Sequence, residues 1–385
     1  MLSCSVSDNS VDTDVSTTVM QQTPLIEQHR SNSAKLVDFA GWEMPIHYTG
    51  VVDEYYTVRS HVGLFDVSHM GRVRIAGTGA ASFLQRVTTN DVGKLAVTQA
   101  QYSMVCNENG GIKDDIFVYR LGPNEFLLCV NASNREKIFS WLQLQQTQDQ
   151  TVRLEDRSVE LSQVAIQGPK SRELLMSLGG AVLQSLKLHH TCDVSIGGLS
   201  CLVARTGYTG ELGYEIYINA DKVGRLWDLL IDKGRAWGLK PAGLGARDLL
   251  RLEMGYLLYG NDMGEDTTPL EANADWTVSF QKGEFIGSQA LMAQKQAGIA
   301  RRFVAFELVE KAVPRHGFRI LDPAASQPIG DVTSGNLSPI LQKGIGLGYV
   351  PARFAEPGAS LLIEIRSKSI PARVVKPPFY QRKKT

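Results

Sequence analysis

The sequence contains few cysteines, and it has no Cys-x-x-Cys pair. Five cysteines occur among 385 residues, and they are widely spaced: Cys4, Cys106, Cys129, Cys192 and Cys201. An odd number of isolated cysteines predicts neither a disulfide framework nor a zinc site. This cysteine content is typical of a protein that works in a reducing cytoplasm.

The chain also lacks a long apolar segment and an excess of either charge. No stretch approaches the roughly 20 apolar residues that span a bilayer, and runs such as residues 125–130 are short enough to be buried strands. Forty Lys and Arg residues balance forty Asp and Glu residues, so the formal net charge is 0. The missing apolar stretch excludes membrane insertion. A general nucleic-acid role is excluded because a protein without net charge does not attract phosphate over long distances.

Signatures for metal binding, nucleotide binding and targeting are also missing. The seven histidines show no helical ligand spacing, and the glycines of residues 243–245 and 344–348 lack the Lys of a phosphate-binding loop. We therefore expect no metal. The first twenty residues contain three Asp and no Arg or Lys, unlike a secretory or mitochondrial presequence. We interpret residues 1–22 as a disordered polar tail.

What the sequence does contain is the composition of a folded globular protein. Hydrophobic residues make up 43% and charged residues 21%, and the length predicts two or three domains. Residues 112–119 and 125–131 alternate like strands, whereas residues 220–234 have apolar positions at helical spacing. These patterns predict an α+β fold. After the polar segment 294–300, short strands between Gly and Pro predict a small all-β C-terminal module.

The polar segments suggest limits for the domains. The polar run at residues 145–150 is a plausible boundary, and residues 24–50 are interpreted as an irregular, aromatic-rich packed loop. After the tail, we expect one α+β lobe at residues 51–150, another formed by residues 23–50 and 151–295, and a barrel-like domain at residues 300–385.

One pair of acidic residues stands out in the lobe expected at residues 51–150. Asp114 and Asp115 follow Gly110 and Gly111 and enter a predicted strand. Because side chains alternate along a strand, the two carboxylates should lie on opposite faces, and only one of them should face a shared pocket. Taken alone, the pair is also compatible with acidic residues that cap a Gly-Gly turn.

Three stretches resemble a known family, the aminomethyltransferases or T-proteins of the glycine cleavage system. They are residues 107–115 (NENGGIKDD), 205–215 (RTGYTGELGYE) and 245–255 (GARDLLRLEMG). The similarity extends to residues 39–45 (FAGWEMP), 63–70 (GLFDVSHM), 259–262 (YGND) and 333–339 (TSGNLSP). It covers nearly all of the chain after Thr23, in the family's order. The departure is small: residues 31–33 (SNS) replace the usual Leu-Gly of the N-terminal loop.

The resemblance implies a fold and a reaction. The fold would be three-lobed, with two α+β lobes and a C-terminal barrel around a central pocket that admits tetrahydrofolate from one side and a lipoyl arm from the other. The reaction would release ammonia from an aminomethyl group on the lipoylated H-protein and pass its carbon to tetrahydrofolate. The remaining glycine cleavage enzymes would be further partners, in a bacterial cytoplasm or, after processing, a mitochondrial matrix.

The resemblance also implies roles for individual residues. Asp115 would be the catalytic carboxylate, and Asp114 would be a surface or hydrogen-bonding residue. Glu215 would accept two hydrogen bonds from the pterin. The other folate-site residues implied by the resemblance are Tyr208, Arg247, Asn131, Met70, Trp276 and Tyr380.

Two other functions remain possible on the same scaffold. A folate-binding iron–sulfur assembly protein of this fold carries a Cys in a Lys-Gly-Cys motif, whereas residues 282–289 (KGEFIGSQ) have Glu284 at that position. This difference argues against the assembly role. A folate-dependent demethylase acting on a free small molecule cannot be distinguished by the folate motifs, although the continuous T-protein match favours a carrier-bound substrate.

Overall fold

A computed structural model describes residues 20–146 and 150–382 of the chain. Its helices are α1 (Ile26–Ser31), α2 (Val51–Ser60), α3 (Ala80–Val87), α4 (Arg135–Gln145), α5 (Ser171–Gly179), α6 (Val182–Ser185), α7 (Ala220–Gly234), α8 (Leu244–Met254) and α9 (Ser288–Ala297). Its strands are β1 (Gln21–Gln22), β2 (Lys35–Phe39), β3 (Trp42–His47), β4 (Val62–Asp66), β5 (Gly71–Ala76), β6 (Ala100–Cys106), β7 (Ile112–Gly122), β8 (Glu125–Val130), β9 (Arg153–Asp156), β10 (Leu161–Gln167), β11 (Thr191–Ile196), β12 (Leu199–Ala204), β13 (Gly213–Asn219), β14 (Leu239–Pro241), β15 (Arg301–Leu308), β16 (Arg319–Leu321), β17 (Pro328–Ser338), β18 (Lys343–Pro351), β19 (Ser360–Ile365) and β20 (Lys368–Val375).

The first lobe is an antiparallel five-stranded sheet with the order β6-β7-β8-β5-β9. Helices α3 and α4 cover one face, and α4 buries Ile138, Trp141 and Leu142 at helical spacing against it. On β7, Ile116 and Val118 belong to this core. The side chains at the alternating positions of β7, Asp115 and Phe117, therefore point to the other face of the sheet.

The second lobe is a six-stranded sheet with the order β11-β12-β13-β10-β4-β14. Helix α7 packs the apolar residues Val223, Leu226, Trp227 and Leu230 into its core. The two lobes contact each other through side chains of both sheets, and the rings of Tyr119 and Tyr217 meet edge to face with centroids 5.6 Å apart. The sheets are thereby fixed relative to each other.

The C-terminal module is a closed barrel with the order β15-β18-β17-β16-β19-β20. Its interior is filled by apolar side chains such as Phe306, Ile320 and Ile363. The all-β C-terminal module predicted from the sequence is thus confirmed. The eleven-residue strand β17 was not predicted, because Gly330, Gly335 and a register shift near Ser334 interrupt its alternation.

The N-terminal part differs from its sequence prediction. Residues 21–22, predicted to belong to the disordered tail, form β1 and pair in parallel with β3; residues 1–19 lie outside the described residues. The segment predicted as an irregular loop contains an antiparallel hairpin of β2 and β3. Its two-residue turn places Ala40 and Gly41 at positive φ, 52° and 82°. A short hairpin with a Pro in β3 carries a weak strand pattern, which explains the difference.

The sheets also differ slightly from the expected lobe limits. Strand β4 was expected with residues 51–150 but pairs with β10 of the second lobe. Strand β9 was expected with residues 151–295 but pairs with β5 of the first lobe. Both crossings between the lobes are therefore shifted along the chain: the first lies between β4 and β5, and the second lies between β9 and β10. Residues 147–149 of the expected boundary lie outside the described residues. No helix in the described ranges is long and apolar enough to cross a membrane.

Candidate active site

Both lobes and the barrel line one cavity of about 800 Å³. The first lobe contributes Tyr102 and Phe117, and the second contributes Tyr208. The loops after α8 and the barrel complete the wall, with Tyr256, Leu257, Trp276, Phe303, Lys376 and Pro377 among the lining residues. A concave site with aromatic walls and a few polar groups is suited to a flat, partly polar ligand.

Asp115 lies on β7 directly behind Tyr102 of the cavity wall. Its Oδ2 atom accepts a 2.9 Å hydrogen bond from the Tyr102 hydroxyl, and its Oδ1 atom accepts a 2.7 Å bond from Asn131 Nδ2. Burial raises the pKa of Asp115. Lys113 and Lys137 form their ion pairs with Glu265. The carboxylate is therefore held by two neutral donors, and within the described ranges no cation pairs with it.

Asp114 faces the opposite side of β7 and is fully buried. It accepts hydrogen bonds from Asn131 N (3.0 Å), Asn131 Nδ2 (2.8 Å) and Asn134 Nδ2 (2.6 Å). Burial, followed by repulsion from Asp115, raises its pKa. Asp114 is thus a hydrogen-bonding residue and not a surface residue. Asn131 follows β8 and reaches both carboxylates, although they lie on opposite faces of β7.

Trp276 lies at the edge of the cavity and is 65% exposed. Its ring stacks on Tyr102, with centroids 5.5 Å apart and an interplanar angle of 23°. Desolvation, followed by the nearby charge of Asp115, raises the pKa of Tyr102. The Tyr102 hydroxyl therefore stays protonated and continues to donate to Asp115. A large exposed aromatic side chain beside a cavity offers a binding surface for a flat ligand.

Tyr208 forms a second part of the cavity wall, and Arg247 packs against its ring. The Arg247 guanidinium is 4.8 Å from the centroid of the Tyr208 ring, and Tyr256 stacks on the same ring with centroids 5.7 Å apart. The Tyr208 hydroxyl donates to the carbonyl of Leu257, which fixes the ring orientation. Arg247 is in the first turn of α8, where its backbone N–H bonds the Gly243 carbonyl at 3.1 Å.

Glu215 lies on β13, where it is partly exposed. Its Oε1 atom accepts a 3.1 Å hydrogen bond from Gln163 Nε2, and its Oε2 atom accepts one from the Thr206 hydroxyl. Each carboxylate oxygen has further lone pairs, so two neutral donors leave capacity for a ligand. The carboxylate is thereby oriented, and no cation among the described residues forms an ion pair with it.

Met70 occupies the junction between the two lobes. It packs against the cluster that contains Tyr55 and also against the cluster that contains Tyr119 and Tyr217. The fully buried Arg72 donates hydrogen bonds to the backbone carbonyls of Ser68, Met70 and Ser158. The loop that carries Met70 is therefore held rigidly at this junction.

Tyr380 has a different environment from the other predicted site residues. The Arg59 guanidinium lies 4.0 Å from its ring centroid, and its backbone N–H bonds the Glu253 carbonyl at 3.3 Å. Arg59 in turn forms buried ion pairs with Glu211 and Glu253. From the same C-terminal segment, Lys376 and Pro377 line the cavity. Tyr380 thus anchors the segment to α2 and α8.

Several neighbours of the predicted residues could not be identified from the sequence. Tyr102, Gln163, Thr206 and Asn134 hold Asp115, Glu215 or Asp114, yet they lie on other strands or turns. The only sequence signal for Tyr102 is its place on a strand that pairs with β7, where it lies opposite Phe117. Such cross-strand partners require the register, which alternation alone does not give.

The cysteines do not form a reactive group within the described residues. Cys106, Cys129, Cys192 and Cys201 are free. Burial raises the pKa of the Cys106 and Cys129 thiols to about 12, which disfavours a nucleophilic thiolate. Across residues 20–146 and 150–382, no group of three or more His, Cys, Asp or Glu side chains is arranged to hold a metal ion.

Two family models match most of the chain. Residues 25–282 match the GCVT N-terminal domain, and residues 301–381 match the glycine cleavage T-protein C-terminal barrel domain. The second match corresponds to the closed barrel, and the first includes both sheets. The matches therefore extend over all three lobes that line the cavity.

Similar proteins cover nearly the same length. The aminomethyltransferase of Halothermothrix orenii is 46% identical over 360 residues, which are 94% of this chain and 100% of that protein. The aminomethyltransferase of Chloroherpeton thalassium is also 46% identical over 360 residues, or 94% of this chain and 99% of that protein. The crystal structure of glycine cleavage system aminomethyltransferase T from Bartonella henselae superposes with a TM-score of 0.88 at 32% identity, covering 94% of this chain and 99% of that one.

Proposed function

We infer that this chain, which belongs to the glycine cleavage T-protein family and is an aminomethyltransferase, transfers the methylene carbon of an aminomethyl-lipoyl carrier protein to tetrahydrofolate. The products are 5,10-methylenetetrahydrofolate, ammonia and the dihydrolipoyl carrier. The observation that carries this proposal is the Asp115 carboxylate, held by Tyr102 and Asn131 behind a cavity that all three lobes line.

The electrostatics of Asp115 suit this chemistry. Expulsion of a thiolate or of ammonia from the methylene carbon generates an iminium-like cation. A carboxylate whose donors are neutral keeps its negative charge available to stabilise that cation, and its position is already fixed before the reaction. Asp115 also directs the attacking folate nitrogen toward the carbon, because a rigid carboxylate orients the group that hydrogen-bonds to it.

We assign the folate pterin to Glu215. A pterin presents an amino group and a ring N–H side by side, and one carboxylate can accept both hydrogen bonds. Gln163 and Thr206 orient the carboxylate for this contact. Met70 and Asn131 are proposed to contact the folate near the lobe junction. Tyr208 and Trp276 supply the flat surfaces of the cavity, and Arg247 is available for a carbonyl or carboxylate of the ligand.

The Glu215→Gln variant is expected to bind tetrahydrofolate more weakly while it folds normally. One acceptor becomes a donor that faces the pterin donors, so the loss should be about 1.5 to 3 kcal/mol in binding free energy. Calorimetric titration with folate measures this loss. Glu173→Gln, on the exposed face of α5 in the same lobe, serves as the control. An unchanged dissociation constant for Glu215→Gln at normal thermal stability would remove Glu215 from the site.

The Trp276→Ala variant is expected to raise the KM for tetrahydrofolate without lowering stability. The side chain is exposed, so its removal leaves no cavity in a core, whereas a stacked ligand would lose about 0.5 to 1.5 kcal/mol in addition to buried area. Steady-state kinetics and a melting curve separate the two effects. The exposed Val309, replaced by Ala, is the matched control. A KM equal to that of the wild type would show that Trp276 does not contact the folate.

The carrier is the feature that distinguishes this function from a folate-dependent demethylase. One assay should compare aminomethyl-loaded lipoyl H-protein with free methyl donors, each in the presence of tetrahydrofolate. We expect methylenetetrahydrofolate only with the loaded carrier, and turnover with free donors alone would favour the demethylase. The iron–sulfur assembly role is not supported, because the exposed Glu284 takes the position of the Cys in that motif. We place the reaction in the cytoplasm, together with the other glycine cleavage enzymes.

A further inference from the structure

Asp114 and Asp115 are connected by a single amide group. Asn131 Nδ2 lies 2.8 Å from Asp114 Oδ1 and 2.7 Å from Asp115 Oδ1. The same nitrogen also lies 3.2 Å from the backbone carbonyl oxygen of Asp115. A side-chain amide has two N–H groups, and the two shortest contacts assign one to each carboxylate. The orientation of this amide therefore cannot change without altering a hydrogen bond to Asp115.

Asp114 is the group that fixes the amide. Besides Asn131 Nδ2, it accepts the backbone N–H of Asn131 at 3.0 Å, so it holds both ends of that residue. Asn134 Nδ2 donates to the same carboxylate at 2.6 Å. Three short hydrogen bonds on a fully buried side chain leave little freedom to the carboxylate or to Asn131.

The arrangement is costly if its only role is structural. A buried carboxylate that is satisfied by neutral donors alone lacks the compensation of an ion pair, and a second carboxylate nearby increases the cost. A neutral side chain could join β7 to the end of β8 without this cost. The buried acidic group is explained if it serves the chemistry at the adjacent Asp115.

We propose that Asp114 is a positioning residue that fixes Asn131, and through it the Asp115 carboxylate, so that the two aspartates function as one unit. The inference rests on the proposed function of Asp115. Asp114 touches neither the substrate nor the reacting carbon in this scheme. Its effect on the reaction passes through Asn131 to Asp115.

The test is a double-mutant cycle measured on turnover with aminomethyl-loaded carrier. In the wild-type background, Asp114→Asn is expected to lower kcat roughly 10- to 100-fold, because a small displacement of a positioned group has effects of this size. The KM for tetrahydrofolate should rise by a smaller factor, since Asn131 is also a proposed folate contact. In the Asp115→Asn background the same change should have little further effect, since the charge that it positions is absent.

A matched control distinguishes positioning from a general structural loss. Asp156, in β9 of the same lobe, accepts hydrogen bonds from Arg135 at 2.9 and 3.0 Å and is remote in sequence from the aspartate pair. Asp156→Asn should lower thermal stability while kcat stays near that of the wild type. If Asp114→Asn does not yield folded protein, Asn134→Ala removes one donor from Asp114 and should give the same pattern with a smaller loss.

The outcomes separate this inference from the proposed function. If Asp114→Asn leaves kcat unchanged, or lowers it by the same factor in both backgrounds, Asp114 does not act through Asp115 and the inference is wrong, while a crippled Asp115→Asn still supports the function. If Asp115→Asn itself retains wild-type turnover, the proposed function of Asp115 fails. If Asp114→Asn lowers kcat strongly in the wild-type background and has no further effect in the Asp115→Asn background, Asp114 acts through Asp115 as proposed.

Discussion

Replacing Asp115 by Asn is expected to lower turnover roughly 100- to 1000-fold, while the affinity for tetrahydrofolate changes far less. The substitution keeps the size of the side chain and most of its hydrogen-bonding capacity. It removes the negative charge that, in the proposed mechanism, stabilises the iminium-like carbon. This corresponds to about 2.7 to 4 kcal/mol of transition-state stabilisation. Steady-state formation of methylenetetrahydrofolate from loaded carrier measures the loss, and calorimetry measures the folate affinity.

The pH dependence of the wild-type enzyme provides a second test of Asp115. In the proposed mechanism the residue acts in its ionised form, and burial raises its pKa above the ordinary value of about 3.9. As the pH falls, the carboxylate is therefore protonated earlier than a surface Asp would be. We expect kcat/KM to decline on the acidic side while the protein remains folded. Asp115→Asn should lack this decline, because its amide does not titrate.

The structure decides which variant is a suitable control for Asp115→Asn. From the sequence, Asp114→Asn would be a neutral control, because alternation along the strand points the two side chains to opposite faces. The structure shows this alternation, but Asn131 reaches both carboxylates, so Asp114 is unsuitable. Asp193, exposed on β11, is a better choice. If Asp115→Asn works at the rate of Asp193→Asn, the carboxylate mechanism is wrong.

The contacts around Asp115 show which features of the fold can be predicted from the sequence and which cannot. Local periodicity identifies β7, β8 and α7, since each element repeats its pattern over several residues. It cannot place Asn131 between two aspartates, because that contact depends on where one strand ends relative to its neighbour. The hydrogen-bond partners of Glu215 likewise come from β10 and from the turn after β12. The residues of the motifs were found by resemblance, and their supporting contacts required the fold.

The attachment of the barrel depends on a second buried carboxylate, Asp262. It accepts hydrogen bonds from Arg251 of α8 at 2.7 Å and from Ser334 of β17 at 2.7 Å, and also from the backbone N–H of Leu258 at 2.9 Å. The Asp262 side chain is 0% exposed and that of Arg251 is 2% exposed. This ion pair therefore joins α8, the following loop and the barrel in a region without solvent screening.

Replacing Asp262 by Ala is expected to lower the free energy of unfolding by about 3 to 5 kcal/mol, because the change leaves the buried Arg251 guanidinium without its buried partner. Asp248 remains bonded to Arg251, but it is half exposed and cannot replace Asp262. Urea unfolding followed by far-UV circular dichroism measures the change. Glu307→Ala, which breaks the surface pair with Lys343 on the barrel, is the matched control and should cost about 1 kcal/mol or less. Equal unfolding midpoints for the two variants would show that the Arg251–Asp262 pair does not hold the barrel in place.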